Sequence, residues 1–192
     1  MTVLLSASEL KRLNTRTIAL VGLMGVGKST VGRRLAQRLD VPFVDADHEI
    51  EAAARMSIAD IFADMGETEF RAGEARVMKR LLEGPSLVLA TGGGAILNPE
   101  TRARLKSQAT TVWMRADLDV VAERVQRRDT RPLLRGRDPL ETLRGLAEAR
   151  YPLYAEADVT VDVGDGAHGQ AVDRILQALT AVGAIKPKAG AA

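Results

Sequence analysis

Apolar runs alternate with segments of helical periodicity from residue 17 to residue 182. This alternation predicts an α/β fold with a mainly parallel sheet, because parallel strands need a long crossover, usually a helix, between them. The apolar runs predict five strands, at 17–21, 42–45, 86–91, 110–115 and 158–163. The helical segments predict eight helices, at 28–39, 47–55, 57–65, 67–83, 100–107, 117–128, 139–156 and 168–182.

Local capping signals mark several of the predicted helix starts. Ser57 precedes one apolar helical pattern, and Asn98 and Asp138 each stand directly before a proline. A polar N-cap followed by a first-turn proline is typical of a helix N-terminus. We therefore interpret these residues as structural.

The pattern predicts one domain with two flanking segments. The core domain covers residues 17–182 and follows an N-terminal arm, 1–16, in which Ser8–Leu13 is compatible with a short helix. Residues 183–192 form a tail whose end, from Lys186, has the composition of a linker and is predicted to be disordered.

Composition narrows the function classes without selecting one. The chain has 192 residues, 46% of them hydrophobic, no cysteine and a formal charge of +2. It therefore has no disulfide or thiolate metal site, and its charge does not indicate a nucleic-acid partner. No apolar run approaches the roughly 20 residues of a membrane span, and the N-terminus lacks a secretory signal pattern, so we expect a cytoplasmic protein. Of the 27 basic residues 21 are arginine, the side chain suited to carboxylate and phosphate.

Residues 22–29 read Gly-Leu-Met-Gly-Val-Gly-Lys-Ser, the P-loop pattern G-x-x-x-x-G-K-[ST], directly after the first predicted strand. In this pattern backbone N–H groups cradle phosphates, Lys28 lies near the β- and γ-phosphates, and the Ser29 hydroxyl can ligate Mg²⁺. A glycine-rich turn that binds nothing is the alternative. The strand before and the helix after favour nucleoside triphosphate binding by Gly25, Val26, Gly27, Lys28, Ser29 and Thr30.

Two carboxylates, Asp45 and Asp47, follow the second strand at alternate positions. Ligands of open α/β sheets bind at such strand ends. One carboxylate is suited to support Mg²⁺ through water, and the other to accept a hydrogen bond from an acceptor hydroxyl. Helix capping is the alternative for Asp47.

Three glycines, Gly92, Gly93 and Gly94, end the third strand. They leave backbone N–H groups accessible to an anion or a hydroxyl, although a flexible turn is the alternative. Arg71 lies in a helical pattern with Glu74 three residues later to orient it. Arg71 and Arg150 are cationic candidates, but their spacing alone does not show that they meet.

Residues 127–138 place five arginines in a loop between two helices. Such a segment is either a solvated face or a lid that closes over phosphate. The P-loop favours the lid, with 128–138 predicted to be mobile and to close over the nucleotide.

Seven motifs occur in order: the P-loop with Thr30 and Gly32, Asp45-Ala46-Asp47, Ile61-Phe62-Ala63-x-x-Gly66-Glu67, Phe70-Arg71, Gly92-Gly93-Gly94, Arg131-Pro132-Leu133-Leu134 and Arg150-Tyr151-Pro152-Leu153-Tyr154. Together they resemble shikimate kinases, over about residues 17–182. The resemblance implies a three-layer α/β/α, nucleoside-monophosphate-kinase-like P-loop fold with a five-stranded parallel sheet and a mobile lid. It also implies transfer of the ATP γ-phosphate to the 3-hydroxyl of shikimate, in aromatic amino acid biosynthesis.

The resemblance also implies residue roles. Asp47 would contact shikimate hydroxyls as base or positioner, while Arg71 and Arg150 would bind the shikimate carboxylate with help from N–H groups around Gly93 and Gly94. Arg131 would offset charge on the transferring phosphoryl group, and Arg124 would cover the adenine. Lys28 and Ser29 keep the roles given above, and Asp45 would support Mg²⁺. We expect a monomer with no nucleic-acid or membrane partner.

The loop 164–169, expected near the adenine, lacks the usual features of the family, so its contacts are left open. We interpret His48 and His168 as helix-start or solvent residues. Another small-molecule kinase, such as a gluconate kinase, is the nearest alternative. A regulatory GTPase would carry an N-K-x-D motif, which is absent, and a motor ATPase would end strand 86–91 in an acidic residue rather than in glycine.

Overall fold

The computed structural model describes residues 16–126, 138–164, 166 and 168–185. The predicted lid lies outside the described residues apart from Asp138, as do the arm before Arg16 and residues 186–192. Ile185, within the predicted tail, is buried.

The described residues form five parallel strands in the order β2-β3-β1-β4-β5. The strands are β1 (Thr17–Val21), β2 (Phe43–Asp45), β3 (Val88–Ala90), β4 (Ala109–Arg115) and β5 (Val159–Asp162). The predicted parallel sheet is confirmed. The third strand is shorter than the apolar run 86–91 because only 88–90 pair regularly with their neighbours.

Eight α-helices connect or follow these strands within the described part of the chain. They are α1 (Lys28–Leu39), α2 (Ala46–Ala54), α3 (Ile58–Asp64), α4 (Gly66–Leu82), α5 (Pro99–Gln108), α6 (Leu118–Gln126), α7 (Pro139–Tyr154) and α8 (His168–Ala181). A short 3₁₀ turn, Ala95–Leu97, was not predicted. The N-caps Ser57, Asn98 and Asp138 accept backbone hydrogen bonds as expected.

The strand order places helices on both faces of the sheet. The chain moves from β1 outward to β2 through α1, and then reverses direction for all later strands. Because parallel crossovers are right-handed, α1 lies on one face and α4 to α7 lie on the other. α8 packs against α1 and completes the first layer.

Burial explains why the strands read as nearly continuous apolar runs. All five residues of β1 and the first six of β4 are buried, as expected for parallel strands covered on both faces. Among the helices of the described residues, none combines the length and apolarity that a membrane crossing requires.

Candidate active site

Three turns of the chain meet at the carboxyl ends of β1, β2 and β3. The register pairs Leu20 with Ala90 and Ala90 with Asp45, so the three strands end at one level. Their following loops line a cleft of about 530 Å³. The cleft therefore brings together the P-loop, the Asp45–Asp47 turn and the glycines 92–94.

The backbone of the P-loop adopts conformations that are unfavourable for residues with a side chain. Gly25 and Gly27 adopt φ values of 82° and 99°, in the left-handed region that favours glycine. A Cβ on Gly25 would also lie 2.5 Å from Cγ2 of Val125. The loop leads directly into α1, whose first N–H groups have no intrahelical partner, the arrangement that suits an anion.

Lys28 is the first residue of α1 and is buried. Its Nζ donates hydrogen bonds to the carbonyls of Gly22, at 2.8 Å, and Leu23, at 2.9 Å. These contacts hold the ammonium beside the loop that would surround a phosphate. Gly25, Gly27, Ser29 and Thr30 also line the cleft, whereas the Val26 side chain packs in the core.

The two carboxylates after β2 have different positions. Asp45 is the N-cap of α2, and its Oδ1 accepts a hydrogen bond from the Asp47 backbone N–H at 3.0 Å. Capping, the alternative interpretation of Asp47, is therefore performed by Asp45. Asp47 is exposed and lines the cleft beside Gly92.

Arg71 and Glu74 form the ion pair expected from their spacing on α4. Arg71 Nη1 donates to Glu74 Oε2 at 2.7 Å, and Nη2 donates to Glu67 Oε1 at 3.2 Å. The Arg71 guanidinium also lies 5.1 Å from the centroid of the Phe70 ring. These contacts fix the guanidinium at the cleft wall.

The glycines after β3 make room for the charged groups. A Cβ on Gly94 would overlap the Arg71 guanidinium, and a Cβ on Gly93 would lie 3.3 Å from Arg150 Nη1. Thus Arg71 and Arg150, whose sequence spacing left open whether they meet, lie against neighbouring glycines of one loop and line the same cleft. Tyr154 supports the loop by donating to the Gly93 carbonyl at 2.5 Å, and burial raises the pKa of Tyr154 to about 12.

An apolar wall faces these charges. Phe62 and Phe70 pack with their ring centroids 4.6 Å apart, and Met24, Ile58 and Ala59 also line the cleft. The cleft therefore combines two guanidinium groups, carboxylates and an apolar surface. This combination suits a small ring-containing acid with hydroxyl groups.

Sequence reasoning did not anticipate that Glu74 is buried or that the apolar wall lines the cleft. A usable signal was present for Glu74, since it is spaced four residues after Phe70 and three before Val77, on the buried face of α4. Arg124 lies away from the cleft lining, with Nη2 donating to the Gly164 carbonyl at 3.0 Å. Arg131 is outside the described residues.

Comparisons with known proteins identify the family of this chain. The model of the family described as Shikimate kinase matches residues 24–180. The chain belongs to the shikimate kinase family. Shikimate kinase from Caulobacter vibrioides is 58% identical over 173 residues, which cover 90% of this chain and 86% of the relative.

Solved structures support the family through the fold. The structure of shikimate kinase from Acinetobacter baumannii in complex with shikimate matches with a TM-score of 0.86 and 40% sequence identity. The match covers 90% of this chain and 97% of the Acinetobacter chain. A gluconokinase from Sinorhizobium meliloti matches with a TM-score of 0.57 and 20% sequence identity. This match covers 88% of this chain and 93% of the gluconokinase chain. The second likeness shows the fold alone.

Proposed function

We propose that this chain transfers the γ-phosphate of ATP to the 3-hydroxyl of shikimate. The main support for this proposal is that Arg71 and Arg150 lie in the same cleft as the P-loop, next to the glycines 92–94. A phosphate donor site and a carboxylate site at one strand edge are what phosphorylation of a hydroxy acid requires.

The P-loop end of the cleft would hold the triphosphate. Backbone N–H groups from Gly25 to Thr30 would surround the phosphates, and Lys28 would place its positive charge where negative charge develops during transfer. Arg124 would cover the adenine, since it lies beside the loop that begins at Gly164. Arg131 would add charge from the lid, as the family resemblance implies.

The donor set near the P-loop fits Mg²⁺. Ser29 and Asp45 both line the cleft and offer a hydroxyl and a carboxylate oxygen. Within the described residues, no group of three or more His, Cys, Asp or Glu side chains could hold a metal alone. This suits Mg²⁺, which usually binds one or two protein groups together with water and substrate phosphates. When bound, the ion would neutralise phosphate charge.

The other end of the cleft would bind shikimate. Its carboxylate would accept hydrogen bonds from Arg71, Arg150 and the N–H groups near Gly93 and Gly94. Its ring would face Phe62 and Phe70, and its hydroxyls would reach Asp47 and Gly92. Asp47 would orient the 3-hydroxyl toward the γ-phosphate and accept its proton as the new P–O bond forms and the bond to the ADP oxygen breaks.

ADP release tests this function directly. We expect release with ATP, Mg²⁺ and shikimate, and little above background with gluconate or with no acceptor. Equal rates with shikimate and gluconate would contradict the proposed acceptor, and no release of ADP with shikimate would contradict the kinase activity.

Our proposal extends to a cytoplasmic monomer with no nucleic-acid or membrane partner, which fits the formal charge of +2. The molar mass measured by light scattering tests whether the protein is a monomer.

A further inference from the structure

Glu74 is a buried carboxyl with one satisfied oxygen. The residue is 3% exposed, and its Oε2 accepts the hydrogen bond from Arg71. Its Oε1 has no hydrogen-bond partner among the described residues. A buried acceptor without a partner is costly, so a change in its protonation or partners is expected during function.

The orphaned Glu74 oxygen and the Asp47 carboxylate both face Gly92. Glu74 Oε1 and Asp47 Oδ1 lie 2.7 Å and 2.9 Å from the point that a Cβ on Gly92 would occupy. Glycine at this position therefore leaves space for two carboxylates that approach the same point of the backbone. Like charges in such a site favour protonation of one of them.

The groups around Glu74 come from three helices. Arg71 faces it from α4, where Glu67 shares the guanidinium; Asp47 faces it from α2; Arg150 and Tyr154 face it from α7. Burial raises the pKa of Glu74 above its usual range, Arg71 and Arg150 act to lower it, and Asp47 acts to raise it. The ionised form of Glu74 therefore depends mainly on Arg71.

A substrate carboxylate would change this balance. Bound to Arg71 and Arg150, it would share the cations that keep Glu74 ionised and would add a further negative charge nearby. Glu67 binds the same guanidinium, but its side chain is 63% exposed, so water stabilises its charge. The buried Glu74 is the carboxylate that gains most by becoming neutral.

We propose that Glu74 takes up one proton from solvent when the substrate carboxylate binds Arg71, and returns it when the product leaves. This inference rests on the proposed function. The step adds H⁺ to a Glu74 oxygen and changes its charge from −1 to 0, with no other bond made or broken.

Isothermal titration of shikimate into the whole protein, in two buffers with different heats of ionisation, measures this uptake. We expect a net uptake of protons, up to one per shikimate bound. Because the complex binds more protons than the free protein, shikimate affinity should weaken as pH rises, by at most about tenfold per unit. Glu74→Gln should bind shikimate with no uptake, whereas Glu67→Gln should retain it.

The outcomes separate the two proposals. No binding of shikimate to the wild-type protein would overturn the proposed function together with this inference. Binding without uptake, or unchanged uptake in Glu74→Gln, would overturn the inference alone. A carboxamide analogue of shikimate provides a test on the wild-type protein that does not depend on folding of the variant. It adds no charge, so uptake equal to that with shikimate would also overturn the inference.

Discussion

At the scale of single residues, the arginines of the cleft differ from those of the surface in their burial. Arg150 is 5% exposed, and the Arg71 side chain is 24% exposed. Arg76, on the same helix as Arg71, is exposed. Cations withdrawn from water need partners or ligands, so the buried Arg150 and the half-buried Arg71 are suited to bind an anion.

Arg71→Ala and Arg150→Ala should each raise KM for shikimate and leave KM for ATP nearly unchanged. Each substitution removes a charge-assisted contact to a buried carboxylate, at a cost of about 2–4 kcal/mol in kcat/KM. Steady-state kinetics with each substrate varied measures both constants, and Arg76→Ala should behave like wild type. A rise in KM for ATP alone would contradict the assignment. Thermal unfolding checks that Arg71→Ala, which leaves Glu74 unpaired, is folded.

Asp47→Asn should lower kcat, by about 10²- to 10⁴-fold, more than it raises KM for shikimate. The amide keeps the size and hydrogen-bonding shape of the carboxylate but does not accept the hydroxyl proton. Steady-state kinetics provides the measurement, and Asp64→Asn, at an exposed site on α3, is the control. A normal kcat with a raised KM would assign Asp47 to substrate positioning alone.

At the scale of elements, the loop after β3 acts through the absence of side chains. Gly94 has φ −96° and ψ −8°, which any residue adopts, so alanine there changes the space around Arg71 rather than the backbone. Gly94→Ala should lower kcat/KM for shikimate by about 10- to 100-fold, because it displaces the guanidinium. Enzyme kinetics together with thermal unfolding measures the effect.

Gly145→Ala is the matched control for that substitution. Gly145 lies within α7, and a Cβ there would meet nothing within 4 Å. We expect it to stabilise the protein by about 0.5–1 kcal/mol with unchanged kinetics. Kinetics of Gly94→Ala equal to those of Gly145→Ala would contradict the proposed effect on Arg71.

The P-loop acts through one charge at a helix start. Lys28→Met should reduce kcat by at least about 100-fold while the fold persists, because transition-state charge stabilisation is lost. The substitution removes the hydrogen bonds from Lys28 Nζ to the carbonyls of Gly22 and Leu23, but no contact of the apolar core. Circular dichroism and the ADP-release assay measure both effects, with exposed Lys79→Met as control. Wild-type turnover in folded Lys28→Met would contradict the role of the P-loop.

The sequence predicts best what is local. The P-loop occupies eight consecutive residues, and the Arg71–Glu74 pair follows from helical spacing, so both could be found without a structure. The limits of β3 depend on pairing with β1 and β2, and were therefore overestimated. The placement of Arg71 and Arg150 in one cleft depends on packing around Gly93 and Gly94, which sequence spacing does not reveal.

At the scale of the whole molecule, the parallel sheet explains why one cleft serves two ligands. Strands β1, β2 and β3 are separated in sequence but end at one level, so the loops that follow them converge. The order of motifs along the chain predicts this convergence only through the family resemblance. The register of the strands required the structure.

The position of shikimate in a crystal structure of the protein with shikimate and ADP tests the central claim most directly. We predict that the shikimate carboxylate lies within hydrogen-bond distance of both Arg71 and Arg150, with the 3-hydroxyl directed toward Asp47 and the P-loop. A carboxylate bound at Lys28, or a 3-hydroxyl directed away from the P-loop, would contradict the account.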